Sequence, residues 1–406
     1  MSSTGGGRSR RGTLRREQIL DAAEELFGEA GYGATSLRAL AKRVGVTHSG
    51  LLRHYASKDD LLLALLARTD TRTPPDPAHL DPVGDPRRAI ERLAREAVTA
   101  RPHVELAITL LGEAAASEHP ARPHVERRLA EGARRLAPFG AYGPDFLAAW
   151  EGLQLLWLYL PERVSPADAL ATRLARYRSE SDESGAERAD WISDAEVTAG
   201  RKPADAPSLE REDEIIDAAA RAFSRQGFHG TSLRTIAADL GLTHGTLLYY
   251  FPSKGALLEA VLNRRDRDAD TAYITPVTVY DKAYNVYRRA VHNDAHPEWT
   301  ALYSALVCEA THPDHPAHAY FAARFTRVLD KFAGELRSLQ AQGLLRPGLD
   351  VEQEAAWFTA LWDGLQIHQP YGADSRIPER LLRSLDGLLA DGVPAETRTA
   401  LLTQPS

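Results

Sequence analysis

One cysteine, Cys308, stands in a chain of 406 residues, so an internal disulfide and a thiolate-built zinc site are both excluded. Near-absence of cysteine also points to a reducing compartment. No run of ~18 apolar residues occurs, so no transmembrane helix is expected. Ser2 to Arg16 is rich in Gly and Arg with no apolar stretch behind it, which argues against a secretory signal. Basic residues are in deficit: 49 Arg and Lys against 56 Asp and Glu give a net charge of −7 with His neutral. A uniformly basic coat of the histone or ribosomal type is thereby excluded, while a local basic patch is not. There is no Gly-x-Ser-x-Gly elbow, P-loop, His-Glu-x-x-His or dinucleotide fingerprint, so neither an enzyme nor a cofactor is expected. The reading is a soluble cytoplasmic protein of several domains.

What is present is a chain that repeats itself. Gly31–Arg38 (GYGATSLR) returns as Gly227–Arg234 (GFHGTSLR), 196 residues later. Aligned without gaps, residues 17–68 and 213–264 share 23 identities in 52 positions. The same offset holds for Glu113 with Glu309 and for His119 with His315. Trp150–Gln154 (WEGLQ) then matches Trp362–Gln366 (WDGLQ) at an offset of 212, so the second copy is 16 residues longer between these landmarks. This is a tandem duplication of a large unit, not a solenoid. The expected division is a basic arm at 1–16, a first head at 17–68, a first body at 69–178, an acidic linker at 179–208, a second head at 209–264, a second body at 265–392 and a tail at 393–406. Trp191–Ile192 is the one apolar spot in the linker, and a Pro-rich stretch from Thr73 to Pro86 follows the first head.

Within each copy the apolar spacing is helical, and no run alternates with period two; the fold class is all-α. Ile19, Leu20, Ala23, Leu26 and Phe27 form one stripe, repeated by Ile215, Ile216, Ala219, Ala222 and Phe223. Thr35 is a good N-cap for a second helix, Gly45 gives a tight turn, and Thr47 caps a third helix carrying Leu51, Leu52 and Tyr55. A fourth opens at Ser57 or Lys58.

A capped short helix, a Gly turn and a second short helix have the spacing of a helix-turn-helix. The fuller pattern, Leu-Arg-x-(Leu/Ile)-Ala-x-x-(Val/Leu)-Gly-(Val/Leu)-Thr-His followed by Leu-Leu, an aromatic and Ser-Lys, occurs twice. At these residues the chain resembles the TetR family of one-component transcription regulators. The resemblance implies a three-helix DNA-binding head, a larger helical effector-binding body, dimerisation through the last two body helices, and a bacterial cytoplasmic protein associated with the nucleoid.

On the helix starting at Thr47, Leu51 and Tyr55 face inward and Ser49, Gly50 and Arg53 face the other way. Thr47 and His48 project from the end that meets base edges in helix-turn-helix docking. Expected DNA contacts in the first head are therefore Thr47, His48, Ser49, Gly50, Arg53 and His54, with Thr35 and Lys58 on phosphate. In the second head they are Thr243, His244, Gly245, Thr246, Tyr249 and Tyr250, with Thr231 and Lys254 on phosphate. Residues 8–68 carry a net charge of +4 and the matching window 204–264 a net of −2. Arg8, Arg10 and Arg11 in the arm suit a minor groove or a phosphate track. The first head is the stronger expected binder, the second depending on its tether.

One chain with two heads suggests an intramolecular pseudo-dimer, with a homodimer also open. Trp150–Leu160 and Pro166–Tyr177 would pair with Trp362–His368 and Pro378–Ala390. Gly152 and Gly364 suit either close helix approach there or an ordinary core. Aromatics that suit an effector pocket are Trp157 and Tyr159 in the first body and Trp299, Tyr303, Phe321, Phe325, Trp357 and Trp362 in the second. Glu113 and Glu309, on apolar stretches, suit an arginine partner or a cationic ligand. The first body, lacking 16 residues, is expected to have the reduced pocket. His312, His315 and His318 are interrupted by Pro313 and Pro316 and read as a turn; no metal is expected. The leading reading is a sequence-specific, ligand-responsive repressor on an imperfectly symmetric operator, binding double-stranded DNA and a small-molecule effector. Two others stay open: a constitutive DNA-binding protein without effector, and a small-molecule binding or interaction protein with degenerate heads.

Overall fold

The computed structural model describes residues 5–71, 101–182, 210–270, 279–372 and 376–392. They are helical, apart from turns and one isolated antiparallel bridge between Leu345 and Leu389. No helix among them is long and apolar enough to cross a membrane. The Pro-rich stretch, the Trp191–Ile192 pair and the tail lie outside the described residues.

The first head is α1 (Gly5–Ala34), α2 (Leu37–Val44) and α3 (His48–Leu52), followed by α4 (Lys58–Thr71). Its apolar stripe does what the spacing requires: Ile19, Ala23, Phe27, Leu40, Leu51, Leu61, Leu62 and Leu65 are fully or almost fully buried. Burying each such side chain is worth roughly 1.5–3 kcal/mol, and the set holds three short helices that could not persist alone. Residues from Gly5 onward continue α1 as helix, with Arg15 reaching the Val44 carbonyl at 3.4 Å and Arg16 lying over the Tyr55 ring. The second head repeats the plan as α9 (Glu210–Gly230), α10 (Leu233–Asp239), α11 (His244–Tyr250) and α12 (Lys254–Asp270). Ile215, Phe223, Ile236, Leu247, Leu257 and Leu258 fill its core. In both heads the long first helix is broken by a glycine at positive φ, Gly31 at 82° and Gly227 at 67°, a backbone state L side chains rarely hold.

The first body comprises α5 (Arg101–Glu113), α6 (Arg122–Arg135), a 3₁₀ segment Ala137–Tyr142, α7 (Gly143–Tyr159) and α8 (Pro166–Asp182). The second comprises α13 (Val279–Asp294), α14 (Pro297–Glu309), α15 (His318–Ala341), α16 (Val351–His368) and α17 (Ile377–Asp386). The extra 16 residues lengthen α15 to 24 residues against 14 in α6, and supply the turn whose Leu345 bridges to Leu389. Helix α5 lies along α1 and α14 along α9, so each body grips its own head.

The two units pack on each other through α7 and α16. A Cβ on Gly152 would stand 1.9 Å from the Ala360 carbonyl oxygen, and one on Gly364 would stand 1.8 Å from that of Ala148. These two contacts exchange under the 212-residue offset, so the helices cross about an approximate two-fold between Trp150 and Trp362. A second reciprocal pair flanks the crossing: the Tyr159 hydroxyl donates to the Val307 carbonyl at 2.7 Å and that of Tyr371 to the Leu111 carbonyl at 2.6 Å. Ion pairs join the units as well, Arg380 Nε to Asp145 at 2.6 Å and Arg176 Nη1 to Glu354 at 3.0 Å, all four residues buried or nearly so.

Candidate nucleic-acid interface and ligand cavity

Each head ends in a short helix that is apolar on one side only. Thr47 caps α3, its hydroxyl accepting the Gly50 N–H at 3.0 Å, and Thr243 caps α11, accepting the Thr246 N–H at 3.1 Å. Leu51 and Leu247 anchor these helices inward, leaving Thr47, His48, Ser49 and Arg53 exposed on one head and Thr243, His244, Gly245, Thr246 and Tyr249 on the other. Gly50, His54 and Tyr250 are half-buried. Tyr249 is 85 % exposed, its ring edge-on to that of Tyr250 at 5.5 Å. Gly45 and Gly241 make the preceding turns at positive φ.

Two expectations change. Ser36, not Thr35, caps α2, accepting the Ala39 N–H; Ser232 does the same for Thr235. Thr35 and Thr231 are buried, their hydroxyls donating to the carbonyls of Leu26 and Gly31 and of Ala222 and Gly227, so neither hydroxyl faces a phosphate. Lys58 is held by the carbonyls of Tyr32 and Thr35 at 2.7 and 2.9 Å, and Lys254 by those of Phe228 and Thr231 at the same distances. Their first role is to tie the fourth helix to the turn. The side chains of Arg8, Arg10 and Arg11 lie outside the described residues.

Glu113 and Glu309 are the second correction of chemistry. Among the described residues neither pairs with an arginine. Glu113 accepts the N–H groups of Tyr32 and Gly33 at 2.8 and 3.0 Å, and Glu309 those of Phe228 and His229 at 2.6 and 2.9 Å. Each body thus caps the broken end of its head's long helix with a carboxylate. Burial pushes Glu113 up to about 7, against the opposing pull of those two N–H groups and of Lys58. No residue type or spacing marked this role; its signal was the survival of both glutamates and both glycines at one offset.

His229, Glu309 and His315 bring one potential ligand atom each within 4.8 Å of one another. His315 Nδ1 accepts the Ala317 N–H, which places the proton of the neutral ring on Nε2, and both Glu309 oxygens are taken by the head. Burial drives His315 down to about 3, so the ring is neutral. His315 Nε2 is buried there without a hydrogen-bond partner. His312 and His318 face Asp314 and the Ala310 carbonyl instead.

A cavity of about 70 Å³, open to solvent on one side, lies in the second body among α12, α13, α15 and α16. Of the aromatics expected to line a pocket, Trp362 does. Tyr303, Phe321 and Phe325 are fully buried core, packed with Tyr159 of the first unit or with one another. Trp357 packs edge-on against Phe146 and under Arg173, at the junction of the units. Trp157 lies under Arg101, and Trp299 packs at the edge of the core. The actual walls are Val286, Val328, Phe332, Phe358 and Trp362, with Arg265, Arg289, Asn293, Arg324 and Asp363 among the polar groups. Helical periodicity identifies buried faces; it cannot tell a face against a void from one against a neighbour, and buried arginines read as solvated ones.

Comparison with known proteins fits this arrangement. The family model described as bacterial regulatory proteins, tetR family, matches residues 19–65 and 215–261, the two heads. The transcriptional regulator RutR of Escherichia coli is 54 % identical over 50 residues, 12 % of this chain and 24 % of RutR. The chain therefore matches about a quarter of that relative's length. The regulator SrpR of Pseudomonas putida is 28 % identical over 161 residues, 39 % of this chain and 75 % of SrpR. The structure of SmeT, the repressor of a Stenotrophomonas maltophilia multidrug efflux pump, covers 48 % of this chain and 96 % of SmeT at 21 % identity and a TM-score of 0.37. Each of the two all-helical units thus carries a head that matches the tetR family of bacterial regulatory proteins, the family's helix-turn-helix unit being present twice.

Proposed function

We propose that this chain is a sequence-specific DNA-binding transcription regulator, a ligand-responsive repressor that supplies both halves of its DNA-reading surface as an intramolecular pseudo-dimer. The carrying observation is the reciprocal Gly152–Ala360 and Ala148–Gly364 crossing, which ties two headed units in one chain as identical subunits are tied in a two-fold dimer. Two recognition helices on adjacent major-groove faces would sit ~34–36 Å apart, one turn of DNA.

The half-sites need not match. Ser49, Gly50, Arg53 and His54 occupy one recognition surface where Gly245, Thr246, Tyr249 and Tyr250 occupy the other. A guanidinium forks onto guanine or clamps phosphate, whereas a phenol offers one hydroxyl and a ring face. Thr47, His48, Thr243 and His244 are common to both, so the operator is expected to be imperfectly symmetric.

Ligand response fits the position of the cavity. Lys254, at the start of α12, holds the turn of the second head, and Arg265 of the same helix lines the cavity, ~16 Å further at 1.5 Å per residue. A ligand that preferred a shifted α12 would bias the head's position through one rigid element. The constitutive alternative would leave this cavity without effect on DNA.

The test is selection of bound genomic fragments at two salt concentrations, followed by footprinting. One protected site with two unlike half-sites, far tighter than bulk DNA, is expected. Weak and steeply salt-dependent binding alone would favour a binding protein with degenerate heads.

A further inference from the structure

Helices α5 and α14 cross where the two units meet, and at the crossing a residue faces its own counterpart. Gly112 and Cys308 hold the same place in the repeat, 196 residues apart. A Cβ on Gly112 would stand 2.6 Å from the Cβ of Cys308 and 3.2 Å from the Ala305 carbonyl oxygen. Two equivalent positions that touch lie on the approximate two-fold itself. Because one of the pair has no side chain, the helices approach more closely than two ordinary residues allow.

The bodies brace this point from both sides. Leu111 and Val307, one residue before Gly112 and Cys308, are the carbonyls that accept the hydroxyls of Tyr371 and Tyr159, each from the other unit. All four residues at the crossing are buried. Tyr159 is in turn packed against Phe321 and Phe325 of the second body. The joint between α5 and α14 is thus fastened to the joint between α7 and α16 by a reciprocal pair of hydrogen bonds, each donor buried or nearly so.

One residue further along each helix stands the latch. Glu113 follows Gly112 and Glu309 follows Cys308, and these carboxylates hold the N–H groups of Tyr32 and Gly33 and of Phe228 and His229. They lie tight against the turns: a Cβ on Gly31 would stand 2.5 Å from Glu113 Oε1, and one on Gly227 would stand 2.9 Å from Glu309 Oε2. The charge of Glu309 contributes to the rise of Glu113 to about 7, so the two latches sit within electrostatic range of each other. A continuous path of contacts therefore runs from the body interface through Gly112 and Cys308 into both heads.

We infer that the Gly112–Cys308 crossing is the spacer that sets the distance between the two recognition surfaces, Gly112 and Cys308 being positioning residues for DNA reading. This rests on the reading of the chain as a two-headed pseudo-dimer and locates the point where its geometry is fixed. Parting α5 from α14 carries Glu113 and Glu309 away from the two-fold in opposite directions, and the heads they hold move outward with them. Half-sites on DNA are separated in steps of ~3.4 Å, one base pair, so a site of fixed spacing answers to small changes in that distance.

Gly112→Ala supplies the missing Cβ. Carbon atoms pack at ~3.5–4.0 Å, so the helices must part by roughly 1 Å. The full chain is titrated with four duplexes: the footprinted site, the same site with one base pair inserted between its half-sites, the same with one removed, and a single half-site. Gly112→Ala should weaken the footprinted site at least tenfold, leave the single half-site within twofold, and bind the lengthened site better than the shortened one. Gly112→Cys combined with Cys308→Gly exchanges the two residues across the two-fold and should fold and bind as the parent does; this variant carries the test if Gly112→Ala does not fold. An unchanged profile for Gly112→Ala would overturn the spacer. So would an equal loss on single and paired half-sites, or an exchanged chain that does not recover the parental profile. A parent indifferent to half-site spacing would sink the two-headed reading, and the spacer with it.

Discussion

Gly152 of α7 lies directly on the backbone of Ala360 in α16, so close that a Cβ would stand 1.9 Å from the carbonyl oxygen. Its counterpart Gly364 meets Ala148 in the same way. Glycine costs a helix interior roughly 1 kcal/mol relative to alanine, so two such glycines at one crossing mark the place where the units must approach. Gly152→Ala or Gly364→Ala should destabilise the chain by about 1–3 kcal/mol through overpacking, despite the gain in helix propensity. Gly12→Ala, where nothing lies within 4 Å, is the control and should stabilise slightly. Denaturant midpoints at constant slope decide the matter; a neutral Gly152→Ala would mean the crossing is loose.

The caps of the recognition helices give a second prediction. Thr47→Ala and Thr243→Ala remove the acceptors for the Gly50 and Thr246 N–H groups. Each should cost ~1 kcal/mol of stability. On the proposed docking, in which the same residues lead their helices into the groove, DNA affinity should fall further than stability does. Binding that tracks stability alone would confine them to capping.

The proposed reading of bases predicts different effects in the two heads. Arg53→Ala and His48→Ala should each weaken the selected site by ~1–3 kcal/mol and relax preference at one position of one half-site. Tyr249→Ala should act on the other half-site. A loss uniform across sequences, with a shallower salt slope, would reassign the residue to phosphate.

The Glu113 latch makes stability depend on pH. Its folded value is raised to about 7 from 4.5, so its contribution is fully present below about 4.5 and is lost as pH rises through 7. Relative to Glu113→Gln, which does not titrate, the wild-type chain should lose on the order of 1–3 kcal/mol between pH 4.5 and 7.5, the carboxylate being one-fifth exposed. Parallel curves for the two proteins would show that Glu113 stays ionised throughout.

The sequence made the heads legible because their constraints are local: a stripe at 3.6-residue spacing, a threonine before a short helix, a glycine at a turn. The crossing was half-legible, since Gly152 and Gly364 announce close approach without naming a partner. The latch and the cavity were not. Glu113 reaches a backbone 80 residues away, and a glutamate on an apolar stretch suggests a side-chain partner before it suggests two peptide N–H groups. Arg265, Arg289 and Arg324 look solvated until helices 20 to 60 residues apart converge around Asp266.

The most direct test of the single-chain pseudo-dimer is the mass of the DNA complex, by sedimentation or native mass spectrometry, at low protein concentration on the footprinted site. One chain of 44.6 kDa per duplex, covering both half-sites, is expected. Two chains on a single pair of half-sites, each using one head, would contradict it.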